Sequence, residues 1–201
     1  MENVILERLK NQSRNLQILS EELQVQMALG KAEARDLIEQ ERKNLSTFIN
    51  KQRVELDKSM ENFTAGRRDF LTCVENLEIS LNEEIPEKVK KYELYKTRLL
   101  QRVYELEEAI RKNYPDMGET MQTKLDAFKA KMDAFRVNLA LHDKDDPEKV
   151  ERIRNEFSEK LIEVRKLLAE RETAQGKLDN FIEDISESFS YLKRAISDLS
   201  N

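Results

Sequence analysis

Residues 82–86 (Asn-Glu-Glu-Ile-Pro) and 142–147 (His-Asp-Lys-Asp-Asp-Pro) interrupt a chain that has helical periodicity almost everywhere else. Proline starts helices well but breaks their interiors, and it disfavours helical dihedrals in the residue before it. Asp146 is a suitable N-cap for a helix that begins at Pro147. Because the 201 residues contain only three prolines and four glycines, these two stretches predict turns between long helices.

Apolar residues recur at heptad spacing within the stretches, for example at Ile49, Leu56, Phe63, Phe70 and Leu77. Heptad spacing is typical of a coiled-coil seam, and short connections make successive helices antiparallel neighbours. We therefore predict an all-α fold, an elongated antiparallel three-helix coiled-coil bundle over 27–201. Its helices are helix A at 27–84, helix B at 86–142 and helix C at 147–200.

If the chain reverses direction at each of the two turns, residues at equal distances on either side of a turn lie opposite each other. Phe70 of helix A is placed beside Leu99 of helix B, and one layer stacks Phe63, Leu106 and Phe181. These layers are apolar although the register was set only by the positions of the turns. This agreement favours the three-helix arrangement.

Residues 114–118 (Tyr-Pro-Asp-Met-Gly) interrupt the seam of helix B, so we expect helix B to be kinked near Pro115. The same register places polar side chains of helices A and C beside this kink. The sequence therefore predicts a hinge or polar layer formed by Arg53, Pro115, Gly118, Arg171 and Gln175. The alternative is a tolerated defect whose polar side chains reach water.

Residues 1–26 extend beyond the predicted bundle as an N-terminal helical extension of helix A. Four of their apolar side chains would face solvent there: Leu9, Leu16, Leu19 and Leu23. Since a coherent exposed apolar stripe is typical of a partner surface, we expect self-association through these leucines. The alternative is a fold-back at Gly30, a residue type that often ends helices. Residues 31–34 (Lys-Ala-Glu-Ala) favour continuity, because they offer no N-cap and have a helical composition.

The charge pattern argues against several classes of function. The 35 basic and 40 acidic residues are interleaved, with a net charge of −5, unlike the basic surface of a duplex-binding protein. No glycine-rich phosphate loop occurs, and His142 is the only histidine. We therefore expect no catalytic residues, no metal site, no cofactor and no nucleic-acid partner.

Cys73 is the only cysteine, so an intrachain disulfide is impossible and a structural, half-buried thiol is expected. No apolar run approaches the roughly 20 residues that span a bilayer, and the N-terminal residues lack the pattern of a secretory signal. We expect a cytoplasmic protein.

One local charge feature lies near the first turn. Arg67 and Arg68 of helix A reflect onto Arg102 of helix B, with Arg98 one helical turn away. The sequence therefore predicts a basic patch of Arg67, Arg68, Arg98 and Arg102, which would suit anionic lipid headgroups. The alternative is a solvated face that neighbouring glutamates neutralise.

In helix length over 27–200, the predicted architecture resembles two families of elongated helical domains. Spectrin-like repeats are shorter and usually carry a core tryptophan, whereas this chain has none. BAR domains are about this length, kinked in their helices and dimeric, and that resemblance implies a membrane-curving surface. We expect a non-enzymatic coiled-coil scaffold or spacer that self-associates and binds partner proteins, with a BAR-like membrane-surface module as the alternative.

Overall fold

The computed structural model describes residues 2–59, 65–114, 117–142, 147–170 and 178–198. These residues form seven α-helices and no strand, which confirms the predicted all-α class. The helices are α1 (Glu2–Ala28), α2 (Lys31–Ser59), α3 (Ala65–Leu81), α4 (Val89–Asn113), α5 (Gly118–His142), α6 (Pro147–Glu170) and α7 (Leu178–Asp198). The three long helices that we predicted are therefore divided into shorter ones.

The chain forms two compact units. The first unit contains Met1–Ala34 and Ala130–Asn201, and the second contains Arg35–Lys129. Two helices belong to both units. The first turn of α2 lies in the first unit, and the division within α5 falls between Lys129 and Ala130. Each unit is a bundle of helical segments.

In the second unit, α2 and α3 run antiparallel. Arg42, early in α2, donates hydrogen bonds to the carbonyl oxygen of Leu81 at the end of α3. Arg53, later in α2, lies 3.7 Å from the carboxylate of Glu78, which is earlier in α3. The predicted continuous helix A over 27–84 is therefore wrong, because the chain reverses direction between α2 and α3.

The α3–α4 pair is antiparallel, as the turn at Pro86 predicts, but its register differs from the predicted one. The rings of Phe70 and Tyr114 lie 5.4 Å apart, so Phe70 faces the end of α4 rather than Leu99. The connection explains the shift, because residues 82–88 are not helical and Ile85 is buried. Extended backbone advances about 3.3 Å per residue against 1.5 Å in a helix, so α4 begins well beyond the end of α3.

Helix B is not one kinked helix. The turn after α4 is closed by a hydrogen bond of 3.1 Å from the Met117 N–H to the Tyr114 carbonyl oxygen. Beyond it, Gln122 reaches Glu107 at 2.8 Å, and the Lys129 ammonium lies 5.3 Å from the Tyr104 ring. Later residues of α5 thus meet earlier residues of α4. The two helices are antiparallel neighbours, and the expected kink near Pro115 is a reversal of direction.

In the first unit, the second half of α5 runs parallel to both α1 and α7. Lys131 of α5 pairs with Glu22 of α1 at 2.9 Å. Seven residues later in α5, Asn138 donates to the carbonyl oxygen of Gln26, which also comes later in α1, at 2.7 Å. Asp133 pairs with Lys193, and Arg136 bonds to the Ser197 carbonyl oxygen at 2.9 Å. The predicted helix C would run antiparallel to helix B, so its last third is placed wrongly. Of the predicted layer, Phe63 and the side chain of Phe181 lie outside the described residues.

Apolar side chains from four helical segments form the core of the first unit, among them Leu19 of α1, Val137 of α5, Phe157 of α6 and Ile185 of α7. In α5, every residue from Met132 to Leu141 is buried. This segment therefore has no solvent face, and its polar residues must find partners inside the protein.

Gly66 allows α3 to approach α4 closely, because a Cβ at this position would lie 2.7 Å from Cγ of Asn113. We expect Gly66→Ala to lower the free energy of unfolding by about 1–2 kcal/mol, since overpacking outweighs the gain in helix propensity. Asn113→Ala removes the nearest atoms. The double variant should therefore lose less free energy of unfolding than the sum of the losses in the two single variants. Urea unfolding measures this coupling.

Gly118→Ala is the matched control, because nothing lies within 4 Å of a Cβ placed at Gly118. A Gly66→Ala protein as stable as the Gly118→Ala protein would contradict close packing of α3 on α4.

Candidate functional site

The polar centre of the first unit is Asn138, a fully buried residue of α5. Its Nδ2 donates to the carbonyl oxygens of Gln26 at 2.7 Å and Leu29 at 3.0 Å. The last four carbonyl oxygens of a helix have no partner within that helix. Asn138 therefore caps the C-terminal end of α1 from a different helix.

At the break between α1 and α2, residues of α2 also form hydrogen bonds. The Gly30 N–H donates to Oε2 of Glu33 at 3.1 Å, and the Ala34 N–H donates to the Gly30 carbonyl oxygen at 3.0 Å. A glutamate at the third helical position that reaches back to the N-cap N–H is half of a capping box. Gly30 is thus the N-cap of α2, and the expected continuous helix across Gly30 is wrong.

The leucines that we expected on an exposed extension lie mostly in the core. Leu16, Leu19 and Leu23 are 0%, 1% and 0% exposed, and α1 packs on α6 and α7. The solvent-facing stripe is therefore absent at these three positions, because α1 folds onto its own chain. The side chain of Leu9 lies outside the described residues.

Arg42 has the corresponding role in the second unit. Its buried guanidinium donates to the carbonyl oxygens of Leu81, the last residue of α3, and of Glu83 just beyond it, and it lies 5.7 Å from the Tyr95 ring. A cation at a helix C-terminus is favourable because it meets the negative end of the helix dipole. Burial raises the pKa of the Tyr95 hydroxyl to about 12, so this hydroxyl stays neutral. A cleft of about 400 Å³ borders Arg42, Ser46 and Glu83.

A charged network joins α4 to α5. Nζ of Lys129 lies 2.7 Å from Glu107 and 2.8 Å from Asp126, and Gln122 donates to both carboxylates. Burial alone disfavours the ammonium form of Lys129, but hydrogen bonds to Asp126 and Glu107 outweigh it and raise the Lys129 pKa. Lys129 therefore stays charged at neutral pH and holds two carboxylates together.

Cys73 lies in a groove of about 430 Å³ between α3 and α4. Its thiol is half-buried and lies 3.6 Å from the carbonyl oxygen of Glu105. Burial, followed by the charges of Glu105 and Asp69, raises the Cys73 pKa. Because the thiolate is the reactive form, this cysteine has little nucleophilic character, as its sequence surroundings predict.

The structure separates the arginines of the predicted basic patch. Arg98 pairs with Glu83 at 2.8 Å, and Arg102 pairs with Glu105 at 2.8 Å. Arg67 and Arg68 directly follow Gly66, which lies against Asn113 of α4. Asn113 is eleven residues beyond Arg102 on that helix. Eleven helical residues span about 16 Å, so the four arginines do not meet in one patch.

The predicted hinge is described only in part. Arg53 pairs with Glu78 of α3, and Gly118 is the first residue of α5. Pro115, Arg171 and Gln175 lie outside the described residues, so a polar layer joining these five positions stays a prediction.

Sequence reasoning missed Asn138, Arg42 and Lys129, whose polar side chains join one helix to another. Asn138 carried a signal, since it interrupts the apolar run Val-Asn-Leu-Ala-Leu at 137–141. Arg42 and Lys129 carried none, because charged residues occur throughout the chain. Among the described residues, no group of three His, Cys, Asp or Glu side chains is placed to hold a metal ion. None of the described helices is long and apolar enough to cross a membrane.

Asn138→Ala should lower the free energy of unfolding by about 2–3 kcal/mol, because it removes the donor of one buried and one partly buried carbonyl oxygen at the end of α1. The matched control is Asn155→Ala on the exposed face of α6, for which a change within about 0.5 kcal/mol is expected. Urea unfolding compares the two variants. Equal stability would show that the cap on α1 contributes nothing.

Comparison with known proteins offers no homology from which to transfer a function. No protein-family model, no curated protein and no solved structure matches the chain. The function is therefore argued from the described side chains alone.

Proposed function

We propose that this protein is a non-enzymatic helical scaffold that self-associates and binds partner proteins. The observation that carries the proposal is the use of its buried polar side chains. Asn138 and Arg42 bond to the ends of neighbouring helices, and Lys129 joins carboxylates of α4 and α5. Each of these groups is engaged in holding one helix to another.

Such contacts suit a scaffold because they specify register. Apolar seams alone allow helices to slide by a heptad, whereas a buried polar contact is satisfied in only one arrangement. The cost is a loss of net stability relative to an apolar core. A fixed register at the cost of some stability suits a protein that presents binding surfaces at fixed positions.

Exposed apolar side chains support binding of a partner protein. Ile79 of α3 and Leu94 of α4 are each 67% exposed in the second unit, and Ile162 of α6 is 66% exposed in the first. Covering one such side chain contributes roughly 1.5–3 kcal/mol to association. Leu94 gives the clearest test of binding, because Thr97, one turn further along α4, is also exposed and provides a control position.

Leu94→Glu should remove specific partners in cross-linking and quantitative mass spectrometry of the protein recovered from its own cells, with circular dichroism unchanged. Thr97→Glu is the matched control, since it adds the same charge on the same face and leaves Leu94 in place. If both variants recover the same partners as the unmodified protein, the α4 face takes no part in binding.

A membrane-surface module is a second candidate, favoured by the start of α4. Lys90 and Lys91 are exposed one helical turn before the exposed Leu94. Basic residues around an apolar side chain are typical of helices that lie on anionic membranes. Each lysine near such a surface contributes about 1 kcal/mol.

Co-sedimentation with phosphatidylserine vesicles tests the second candidate. Binding should appear at low ionic strength, weaken as salt is added, and fall at least tenfold in the Lys90→Glu/Lys91→Glu variant. The control is Lys51→Glu/Lys124→Glu, which changes the net charge equally at two other exposed lysines. Absence of binding at low salt, or equal loss in both double variants, would eliminate this candidate.

A further inference from the structure

We propose that α1 is an exchangeable helix, which leaves the first unit of its own chain and takes the same place in a second copy. In the exchanged dimer, α1 and α2 form one continuous helix through Gly30. The inference rests on the proposed self-association and specifies its interface. Four features of the described residues carry it: the local sequence at the break, the polar seam of α1, its tertiary cap and its apolar face.

The local sequence does not require a break between α1 and α2. Gly30 is not in the left-handed region, so its backbone conformation is open to any residue. Lys31, Ala32, Glu33 and Ala34 are good helix formers, and proline is absent from the junction. A continuous helix is therefore the locally preferred form, and the break must be imposed from elsewhere.

The break is imposed mainly by one residue of another helix. Asn138 supplies two hydrogen bonds to the end of α1, at Gln26 and Leu29, while the bonds that α2 makes at Gly30 are local ones, with Glu33 and Ala34. When α1 lies in a second copy, the carbonyl oxygens of its last turn can bond to N–H groups of the first turn of α2 in place of the Asn138 amide. The helix ends are then satisfied in both forms, which makes the junction a two-state element.

The buried face of α1 is partly polar, which lowers the cost of release. Ser13, Ser20 and Gln26 are all buried in the first unit. Neither amide atom of Gln26, nor Oδ1 of Asn138, makes a hydrogen bond within the described residues. Buried polar atoms without partners destabilise the state that buries them, so the docked form of α1 is less stable than its apolar contacts imply.

The apolar face of α1 identifies the partner as a second copy of this chain. Leu16, Leu19 and Leu23 are buried on the surface that α6 and α7 provide, so a released α1 exposes them. A second copy offers the same surface, including Lys131 for Glu22 and Arg165 for Gln24. Exchange therefore restores the apolar and charged contacts of α1, and at the junction it replaces the hydrogen bonds from Asn138 with those of a continuous helix.

Two substitutions at the junction should shift the equilibrium in opposite directions. Gly30→Ala adds a Cβ that lies 3.7 Å from its nearest neighbour, so it fits the closed form while favouring the continuous helix. Because a dimer contains two junctions, its association constant should rise at least tenfold. Lys31→Pro suits the first position of α2 but breaks a continuous helix, so it should abolish the dimer.

Light scattering over a range of protein concentrations measures both variants. Lys31→Ala is the matched control for loss of the lysine side chain and should behave as the unmodified protein. Circular dichroism verifies that each variant folds. A dimer that Gly30→Ala does not strengthen, or that Lys31→Pro does not weaken, overturns the exchange.

Cross-linking distinguishes exchange from other modes of self-association. In a Cys73→Ser background, Gln24→Cys and Arg165→Cys place thiols where α1 meets α6, and a short bismaleimide joins them. In the dimer fraction, exchange gives covalent dimers on a denaturing gel. The control pair Glu83→Cys and Arg98→Cys, within the second unit, should give covalent monomers only.

The outcomes separate the two proposals. A dimer whose α1–α6 links are all within one chain retains self-association but overturns the exchange of α1. A protein that stays monomeric at every concentration, including with Gly30→Ala, overturns both.

Discussion

The two hydrogen bonds from Asn138 to the end of α1 are the constraint on which the first unit depends. They cap α1 at a place where the local sequence would allow it to continue, and α1 packs its leucines on α6 and α7. An asparagine in a helix segment with no solvent face must find such partners, because a buried amide without them is costly. The cap on α1 thus satisfies a polar requirement of α5.

The second unit uses the same kind of interaction with different chemistry. Arg42 reaches from α2 to the last carbonyl oxygen of α3 and to that of Glu83 beyond it, where a cation also meets the favourable end of the helix dipole. Lys129 then joins α5 to Glu107 of α4, and Gly66 allows α3 to approach α4. Polar side chains therefore fix the ends and the register of helices whose apolar faces supply most of the burial.

The proposed scaffold role and the proposed exchange of α1 have a common physical basis. A helix held by a few specific polar contacts over a partly polar seam is correctly placed but modestly stabilised. Identical surfaces in a second copy offer it an equivalent position, so self-association needs no additional interface. In the proposed exchange, the residues that make the closed form specific also allow it to open.

The sequence by itself determined the helical class, the start of α6 at Pro147 and the reversal around Pro86, because periodicity and proline chemistry act within a few residues. Only the tertiary structure decided that α1 ends at Ala28, that the chain reverses direction between α2 and α3, and that α4 and α5 are separate. At these places Asn138, Arg42 and Lys129 contact residues that are distant in the chain. A heptad pattern specifies which face of a helix is buried, but not which helix covers it.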